Sequence, residues 1–142
     1  MKIMIVGSMH FAKEMAAIKD KLEKQGHNVG VPLDTLECLE NSELKNSFEN
    51  DLESEIKHCL DRDLLMEGFK QIERSDAILV VNENKNSVEG YIGCSVLMEI
   101  GIAFYLGKKI YLLNDIDRSQ KYALEVLITK PEIIGGDISK IK

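Results

Sequence analysis

Residues 90–107 read GYIGCSVLMEIGIAFYLG, a glycine-bearing turn followed by a continuous apolar run. The pattern predicts a loop and then a helix that is apolar on every side, which is typical of a buried helix. Glu99 is the single carboxylate between Glu89 and Lys108. A carboxylate that leaves water without a partner costs free energy, so Glu99 should have a partner, a raised pKa, or both. A carboxylate of this kind at the mouth of a cleft is a candidate for chemistry, whereas a side chain that reaches out to solvent or an ion pair with a lysine from another element is the plain structural alternative.

On both sides of this stretch, short apolar runs alternate with helix-period patterns. The predicted strands are 2–6, 28–31, 77–81, 110–113 and 133–134, and the predicted helices besides the Glu99 helix are 11–25, 62–74 and 122–128. Strands that are apolar along their whole length suit a parallel sheet covered on both faces. The alternation therefore predicts an α/β fold, a three-layer sandwich with a four- to five-stranded parallel sheet of flavodoxin- or Rossmann-like type.

Residues 34–60 interrupt the alternation with an acidic, polar segment. Its apolar residues recur at roughly helical intervals, and we expect an irregular start followed by a helix over about 46–60. A surface insertion is the simpler interpretation, and a lid over a site is the alternative. The length of 142 residues predicts a single domain, 1–142, that carries this insertion.

Composition and charge weigh against several classes of protein. The net charge of -6 and the pI of about 5.1 argue against nucleic-acid binding, which needs basic surfaces. Cys38, Cys59 and Cys94 are far apart and the histidines have no ligand-like spacing, so we expect free thiols and no metal site. The sequence contains no membrane-length apolar run and no signal-peptide core, which predicts a cytoplasmic protein without a membrane partner.

The predicted sheet places a binding crevice at the carboxyl ends of its strands, where the strand order switches direction. The loops 7–10, 82–93 and 114–118 follow strands there, and we expect them to line one crevice with the Glu99 helix. The candidate substrate-binding residues are Gly7, Ser8, His10, Asn82, Gly90, Tyr91, Gly93 and Ser95.

Two glycine-bearing turns each allow a binding and a structural interpretation. The Gly7-Ser8 turn precedes a helix, so its amides suit an anion, whereas a tight turn with Ser8 as the helix N-cap is the simpler interpretation. This turn matches neither a dinucleotide nor a triphosphate fingerprint. In the second turn, Tyr91 either stacks on a base or fills the core.

Three further carboxylates are candidates for acid–base chemistry. Asp76 directly precedes the clearest predicted strand, where Ser-Asp also favours a plain turn. Its place at the amino end of that strand counts against a site role, because the crevice lies at the opposite edge. Asp63 and Glu67 fall on the preceding helix, where most acids are simply solvated.

Four stretches together resemble one enzyme family. They are Ile-Val-Gly-Ser at 5–8, Ser-Asp-Ala-Ile-Leu-Val-Val at 75–81, Glu-Ile-Gly-Ile-Ala at 99–103 and Gly-Lys-Lys-Ile-Tyr-Leu-Leu at 107–113. This combination is similar to the nucleoside 2-deoxyribosyltransferase family, including the deoxynucleotide N-glycosidases. The resemblance covers most of the chain except 34–59, and the Glu-x-Gly-x-Ala helix followed by Gly-Lys is its most specific part.

The resemblance implies a reaction. Glu99 stands at the position of the family's nucleophile, which attacks C1′ of the sugar and forms a glycosyl-enzyme. Water then gives hydrolysis, and a second base gives transfer. An acid near the base would help it leave, and Asp76, Asp63 and Glu67 are the matching candidates in no settled order.

The resemblance also implies partners. The Gly7-Ser8 turn and Ser95 would hold the sugar or the 5′ end of a small-molecule nucleoside or nucleotide. The mechanism needs no cofactor and no metal. Family members are often oligomers in which a neighbouring subunit completes the site, so we expect a homodimer or a higher homo-oligomer. The apolar Glu99 helix and Tyr105 supply a candidate surface for it.

Departures from the family pattern keep other functions open. The turn after Gly-Ser reads Met9-His10-Phe11, the loop 84–93 differs from the family's shorter turn, and Glu67-Gly68 stands where relatives often place an aspartate. A non-catalytic nucleotide-binding module of the same fold is the alternative. A phosphoribohydrolase of the cytokinin-activating type would want a Gly-Gly-x-Gly-Thr turn, which the chain lacks. A raised Glu99 pKa and an open cleft would favour the enzyme.

Overall fold

The computed structural model describes residues 1–41, 43 and 51–142. Five strands in these ranges form one parallel sheet, namely β1 (Lys2–Val6), β2 (Asn28–Gly30), β3 (Ala77–Val80), β4 (Lys109–Leu112) and β5 (Glu132–Ile133). Their order across the sheet is β2-β1-β3-β4-β5. The predicted α/β fold with a parallel sheet is confirmed, and the strand order is the flavodoxin-like one.

Helices connect these strands. Those in the described ranges are α1 (Ala12–Lys24), α2 (Thr35–Glu40), α3 (Leu52–Asp61), α4 (Leu64–Glu73), α5 (Cys94–Tyr105) and α6 (Ala123–Ile128), with 3₁₀ turns at Met9–Phe11 and Ile138–Lys140. The predicted helix over 46–60 is present from Leu52 as α3, and its part over 46–50 lies outside the described residues. The helix predicted over 62–74 begins at Leu64, because Asp63 takes the left-handed conformation (φ 51°) and separates α3 from α4.

Side chains that alternate along the strands build two core layers, one on each face of the sheet. Ile3 and Ile5 of β1 pack on the same side as Met15 and Leu22 of α1. Met4 and its alternate neighbour Val6 face the opposite layer, which α4, α5 and α6 cover. The three central strands β1, β3 and β4 are therefore buried on both faces, as their continuous apolar sequences predict, whereas the edge strands β2 and β5 are partly exposed.

The helix α5 is buried on one side only. Val96, Ile100 and Ala103 are buried, whereas Phe104 is 55% exposed and Tyr105 is 84% exposed. The expectation of a helix buried on every side is therefore wrong for its outer face. Neither α5 nor another helix in the described part of the chain is long and apolar enough to cross a bilayer.

The strand order switches direction between β1 and β3, and the two strands end side by side. Val81 donates its backbone N–H to the carbonyl of Val6. A Cβ on Gly7 would lie 3.0 Å from the Val81 carbonyl oxygen and 3.2 Å from Met15 Sδ. Gly7 therefore allows the close approach of the two strand ends, and a cleft opens above them.

Candidate active site

A cleft of about 750 Å³ opens at the carboxyl edge of the sheet. This volume lies within the range of about 300–1,000 Å³ that is typical of small-molecule sites. The loop after β1, the connection after β2, α3, α4 and the first turns of α5 form its walls. Its glycine, polar and aromatic lining residues are Gly7, Ser8, His10, Asp34, Glu55, His58, Cys59, Gly68, Gln71, Lys85, Asn86, Tyr91, Gly93, Cys94, Ser95 and Glu99.

Glu99 is half-buried and projects into this cleft from the second turn of α5. Among the described residues, its carboxylate has no ion pair and no hydrogen bond, so the lysine pairing that we considered does not occur there. Burial raises the pKa of Glu99 to about 7, and the negative charge of Asp34 adds to the shift. At neutral pH, the site therefore holds protonated and ionised Glu99 in similar amounts.

Asp34 is a second carboxylate in the cleft, and it was not among our candidates. It directly precedes α2, and the residue is only 9% exposed. Burial raises its pKa, while its own backbone amide, His58 and Arg62 act in the opposite direction. Residues 31–34 follow the carboxyl end of β2, so the rule that selected the loops after the other strands would have found Asp34 too.

A chain of polar side chains leads from Asp34 out of the cleft. His58 Nε2 lies 3.8 Å from Asp34 Oδ2, and both side chains are buried. The guanidinium of Arg62 contacts His58 Nδ1 through one nitrogen and Glu37 Oε2 through the other, the latter at 3.2 Å. His58 and Arg62 come from α3 and its C-cap, so the predicted insertion contributes to the wall of the cleft.

The Gly7-Ser8 turn lines the cleft, and its polar groups are partly used by the turn itself. Ser8 Oγ accepts the His10 backbone N–H at 3.2 Å, and the Ser8 carbonyl accepts the Phe11 N–H at 2.8 Å. Ser8 is therefore the N-cap of the first 3₁₀ turn, as the structural interpretation predicts. Its hydroxyl hydrogen stays free to donate to a ligand in the cleft.

The second glycine-bearing turn forms another part of the wall. Gly93 is the N-cap of α5 and makes no side-chain cap. Tyr91 is half-buried beside it, and the Nζ atom of Lys85 lies 5.0 Å from the centre of the Tyr91 ring. Ser95 follows in the first turn of α5 and is exposed to the cleft. The aromatic face, the serine and the helix start thus lie on one side of the site.

Asn82 and Gly90 hold loops together and do not line the cleft. Asn82 is buried, and its side chain exchanges two hydrogen bonds with the backbone of Asn114, at 2.7 and 3.0 Å. Gly90 has a φ of 62°, and a Cβ there would lie 2.2 Å from the Asp115 carbonyl oxygen. Asn82 thus joins the ends of β3 and β4, and Gly90 allows its loop to approach the loop after β4.

The structure does not bring Asp76, Asp63 or Glu67 to the cleft. Asp76 lies at the amino edge of the sheet, where its Oδ2 accepts the Lys2 backbone N–H at 2.7 Å. Asp63 forms the left-handed junction between α3 and α4. Glu67 lies on the surface of α4, where its Oε1 is 3.6 Å from Lys70 Nζ. Asp76 thus lies at the edge of the sheet opposite the cleft, as its position before β3 indicates, whereas Asp34 lines the cleft.

The described residues contain no group of three or more His, Cys, Asp or Glu side chains arranged to hold a metal ion. No disulfide joins the cysteines of the described residues. Cys59 and Cys94 line the cleft, and burial raises the pKa of Cys59.

Comparisons with known proteins add one structural likeness. No family model matches the chain, and no curated protein matches it by sequence. Among solved structures, the chain is similar to one described as the Clostridium botulinum CMP N-glycosidase BcmB, at 18% identity and a TM-score of 0.47. The alignment covers 94% of this chain and 85% of that chain. The fold assigned above rests on the sheet topology of this chain itself.

Proposed function

We propose that the protein cleaves or exchanges the N-glycosidic bond of a deoxynucleoside or a deoxynucleoside 5′-monophosphate through a glycosyl-enzyme on Glu99. The observation that carries the proposal is the Glu99 carboxylate, which faces an open cleft and has a pKa of about 7. A perturbed carboxylate in a cleft marks a candidate catalytic group. The four sequence stretches that resemble nucleoside 2-deoxyribosyltransferases supply the class of reaction.

In the first step, a Glu99 oxygen attacks C1′ as the bond to the base breaks. The sugar passes through a state that resembles an oxocarbenium ion, and the carboxylate traps it from the opposite face. In the second step, water or another base attacks C1′ and releases Glu99. A carboxylate with few partners suits this role, because little solvation has to be removed before it attacks.

The remaining walls of the cleft fit the parts of a nucleoside. The Tyr91 ring offers a face on which a base can stack. The Ser8 and Ser95 hydroxyls and the start of α5 at Gly93 offer donors for sugar hydroxyls or for a 5′ group. We assign the whole chain, 1–142, to one domain of this type, with the segment at about 34–60 as its insertion.

A chromatographic assay for released base tests the proposal. The protein is incubated with a panel of deoxynucleosides and their 5′-monophosphates, with and without a second base as acceptor. Glu99→Gln is assayed in parallel, and Glu125→Gln on the exposed face of α6 is the matched control. We expect base release by the wild type and the control and none by Glu99→Gln. Unchanged release by Glu99→Gln would remove Glu99 from the mechanism.

A trapping experiment identifies the attacking atom. A 2′-deoxy-2′-fluoro-arabinonucleoside destabilises the oxocarbenium-like state and slows the second step more than the first when its base leaves readily. We expect a sugar adduct on the peptide that contains Glu99, detected by mass spectrometry after proteolysis. If the folded wild type binds nucleotides in calorimetry but releases no base from any substrate, the binding-module alternative is correct.

A further inference from the structure

Three of the described residues that line the cleft carry carboxyl groups, Asp34, Glu55 and Glu99, and the reaction proposed above gives Glu99 alone a role. Glu99 comes from α5, whereas Asp34 comes from the connection after β2. A base that leaves C1′ takes the electron pair of the broken bond, and a proton on its nitrogen makes it a better leaving group. We propose that Asp34 is the catalytic acid that delivers this proton and that His58 is its positioning residue. This inference rests on the proposed function.

Asp34 combines burial with partners, which distinguishes it from the other carboxylate candidates. It is 9% exposed and faces His58, whereas Asp63, Glu67 and Asp76 contact other parts of the molecule. The residues of α4 that line the cleft are Leu64, Leu65, Gly68 and Gln71, and none of them carries a carboxyl group. Glu55 also lines the cleft, but the described contacts include no partner that would orient it. Among the cleft carboxylates other than Glu99, Asp34 is therefore the one with a neighbouring side chain that can orient it.

The two carboxyl groups together favour the protonation state that the reaction needs. Burial raises the pKa of Asp34, and the charge of Asp34 opposes the ionisation of Glu99. Burial thus disfavours two ionised carboxylates in the cleft at the same time. When the electron-poor C1′ lies over Glu99, the ionised form is favoured on Glu99 and the proton on Asp34.

The tautomer of His58 follows from its contact with Arg62. A guanidinium can only donate hydrogen bonds, so His58 Nδ1 accepts and the ring proton sits on Nε2. That N–H faces Asp34 Oδ2 across 3.8 Å. His58 is thus placed to stabilise the Asp34 carboxylate once the proton has left.

One catalytic cycle uses these two carboxyl groups and one water molecule, and both carboxyl groups end in the protonation state in which they began. In the first step, a Glu99 oxygen bonds to C1′, the C1′–N bond breaks, and the base nitrogen receives both its electron pair and the Asp34 proton. In the second step, a water oxygen bonds to C1′ and the Glu99–C1′ bond breaks. The proton lost by that water returns to Asp34, which restores both groups.

A pair of substrates that differ in their need for a proton tests the assignment. The first is the deoxynucleoside that the wild type cleaves fastest, and the second is 4-nitrophenyl 2-deoxyriboside, whose phenolate leaves without protonation. For Asp34→Asn, we expect kcat on the deoxynucleoside to fall about 100-fold or more, while kcat on the nitrophenyl substrate stays within a few-fold. Asp61→Asn, on the exposed side of α3, is the matched control and should change neither rate.

The results distinguish a failure of the Asp34 assignment from a failure of the proposed function. Equal losses of Asp34→Asn on both substrates, or no loss on either, would overturn the role of Asp34 and leave Glu99 untouched. A selective loss in Glu55→Gln instead would move the acid to Glu55. A wild type that cleaves neither substrate, with Glu99→Gln equally inactive, would overturn the proposed function and with it the acid.

The positioning role of His58 has its own readout. His58→Gln keeps an N–H donor near the position of Nε2, whereas His58→Leu has a similar volume and no donor. We expect His58→Leu to show the same substrate-selective loss as Asp34→Asn, at about 10-fold, and His58→Gln to recover most of the rate. If both variants lose activity on both substrates alike, His58 only supports the structure of α3.

Discussion

At the scale of single residues, the environment of Glu99 decides both chemistry and stability. Its carboxyl group is removed from water at the floor of the cleft, and within the described residues nothing pairs with it. In the proposed reaction this desolvation favours attack on C1′, and it also makes the ionised form of Glu99 costly in the folded protein. The ionised carboxylate is thus needed for the proposed reaction but lowers the stability of the folded protein. Both effects can be measured.

The first consequence is a pH dependence of the reaction. In the proposed reaction the ionised form of Glu99 attacks and Asp34 must carry a proton, so kcat/KM should rise about tenfold per pH unit below pH 7 and fall again at the higher pH at which Asp34 loses its proton. The midpoint should lie near 7, well above the ordinary glutamate value of 4.5. Initial rates across pH 5 to 9 with the best substrate measure it, and a midpoint near 4.5 would show that Glu99 is fully hydrated.

The second consequence is a pH-dependent stability. Between pH 4.5 and about 7, the folded protein keeps a proton on Glu99 that the unfolded chain has lost, so the free energy of unfolding falls as the pH rises through this window. Glu99→Gln removes the penalty. After allowing for partial access of water, we expect it to be about 1–2 kcal/mol more stable than the wild type at pH 8. Below pH 4.5, urea titrations should give equal values for both proteins.

At the scale of elements, glycines in and after α5 have opposite roles. Gly101 lies inside the helix, and a Cβ there would meet nothing within 4 Å. Gly107 follows the helix with a φ of 69°, where an L side chain is strained. An added Cβ would contact no neighbouring residue at either position, so the effects of the two substitutions should differ only because the backbone conformations differ.

The two positions form a matched pair of alanine substitutions. Gly101→Ala should stabilise the protein by about 0.5–1 kcal/mol, because alanine restricts the unfolded chain and suits a helix. Gly107→Ala should destabilise it by about 1 kcal/mol, because alanine disfavours the left-handed conformation. Thermal unfolding of both variants measures the difference, and shifts of the same sign would contradict the assigned boundary of α5.

The elements were predictable where one local signal dominates. Continuous β-branched runs gave β1 and β3, and the motif around Glu99 identified the helix that carries the central carboxylate. Asp34 was missed because the loop after β2 was not counted among the loops that line the crevice, and its partner His58 lies on α3, which depends on tertiary contacts for its position. The same limit applies to Asp76, whose motif is clear but whose side chain serves the opposite edge of the sheet.

At the scale of the whole molecule, α4 and α5 leave apolar side chains exposed on neighbouring surfaces. Phe104 and Tyr105 of α5 are 55% and 84% exposed, and Met98, Leu65 and Met66 are exposed as well. The two helices pack against each other. Exposed apolar surface on this scale commonly marks an interface, and the family resemblance leads us to expect a second copy of the chain there.

The oligomeric state tests this expectation directly. We expect the wild type to sediment as a dimer or a larger assembly at micromolar concentration. Phe104→Glu should shift it to the monomer, because a buried unpaired charge at an interface costs several kcal/mol. Glu125→Gln is the control for a surface change elsewhere. A monomeric wild type in sedimentation velocity would refute the interface.

Because β2 lies at the edge of the sheet, its local unfolding should inactivate the protein before the rest of the structure unfolds. β2 pairs with β1 over three residues, Lys2 with Asn28, Ile3 with Val29 and Met4 with Gly30, and in the described chain its other side carries no strand. A short edge strand opens at a lower free energy than the centre of a sheet. Such a local opening would withdraw Asp34 while Glu99 stays fixed on α5. Rising denaturant should therefore abolish turnover before the helical signal is lost, and amides of β2 should exchange with deuterium sooner than those of β3.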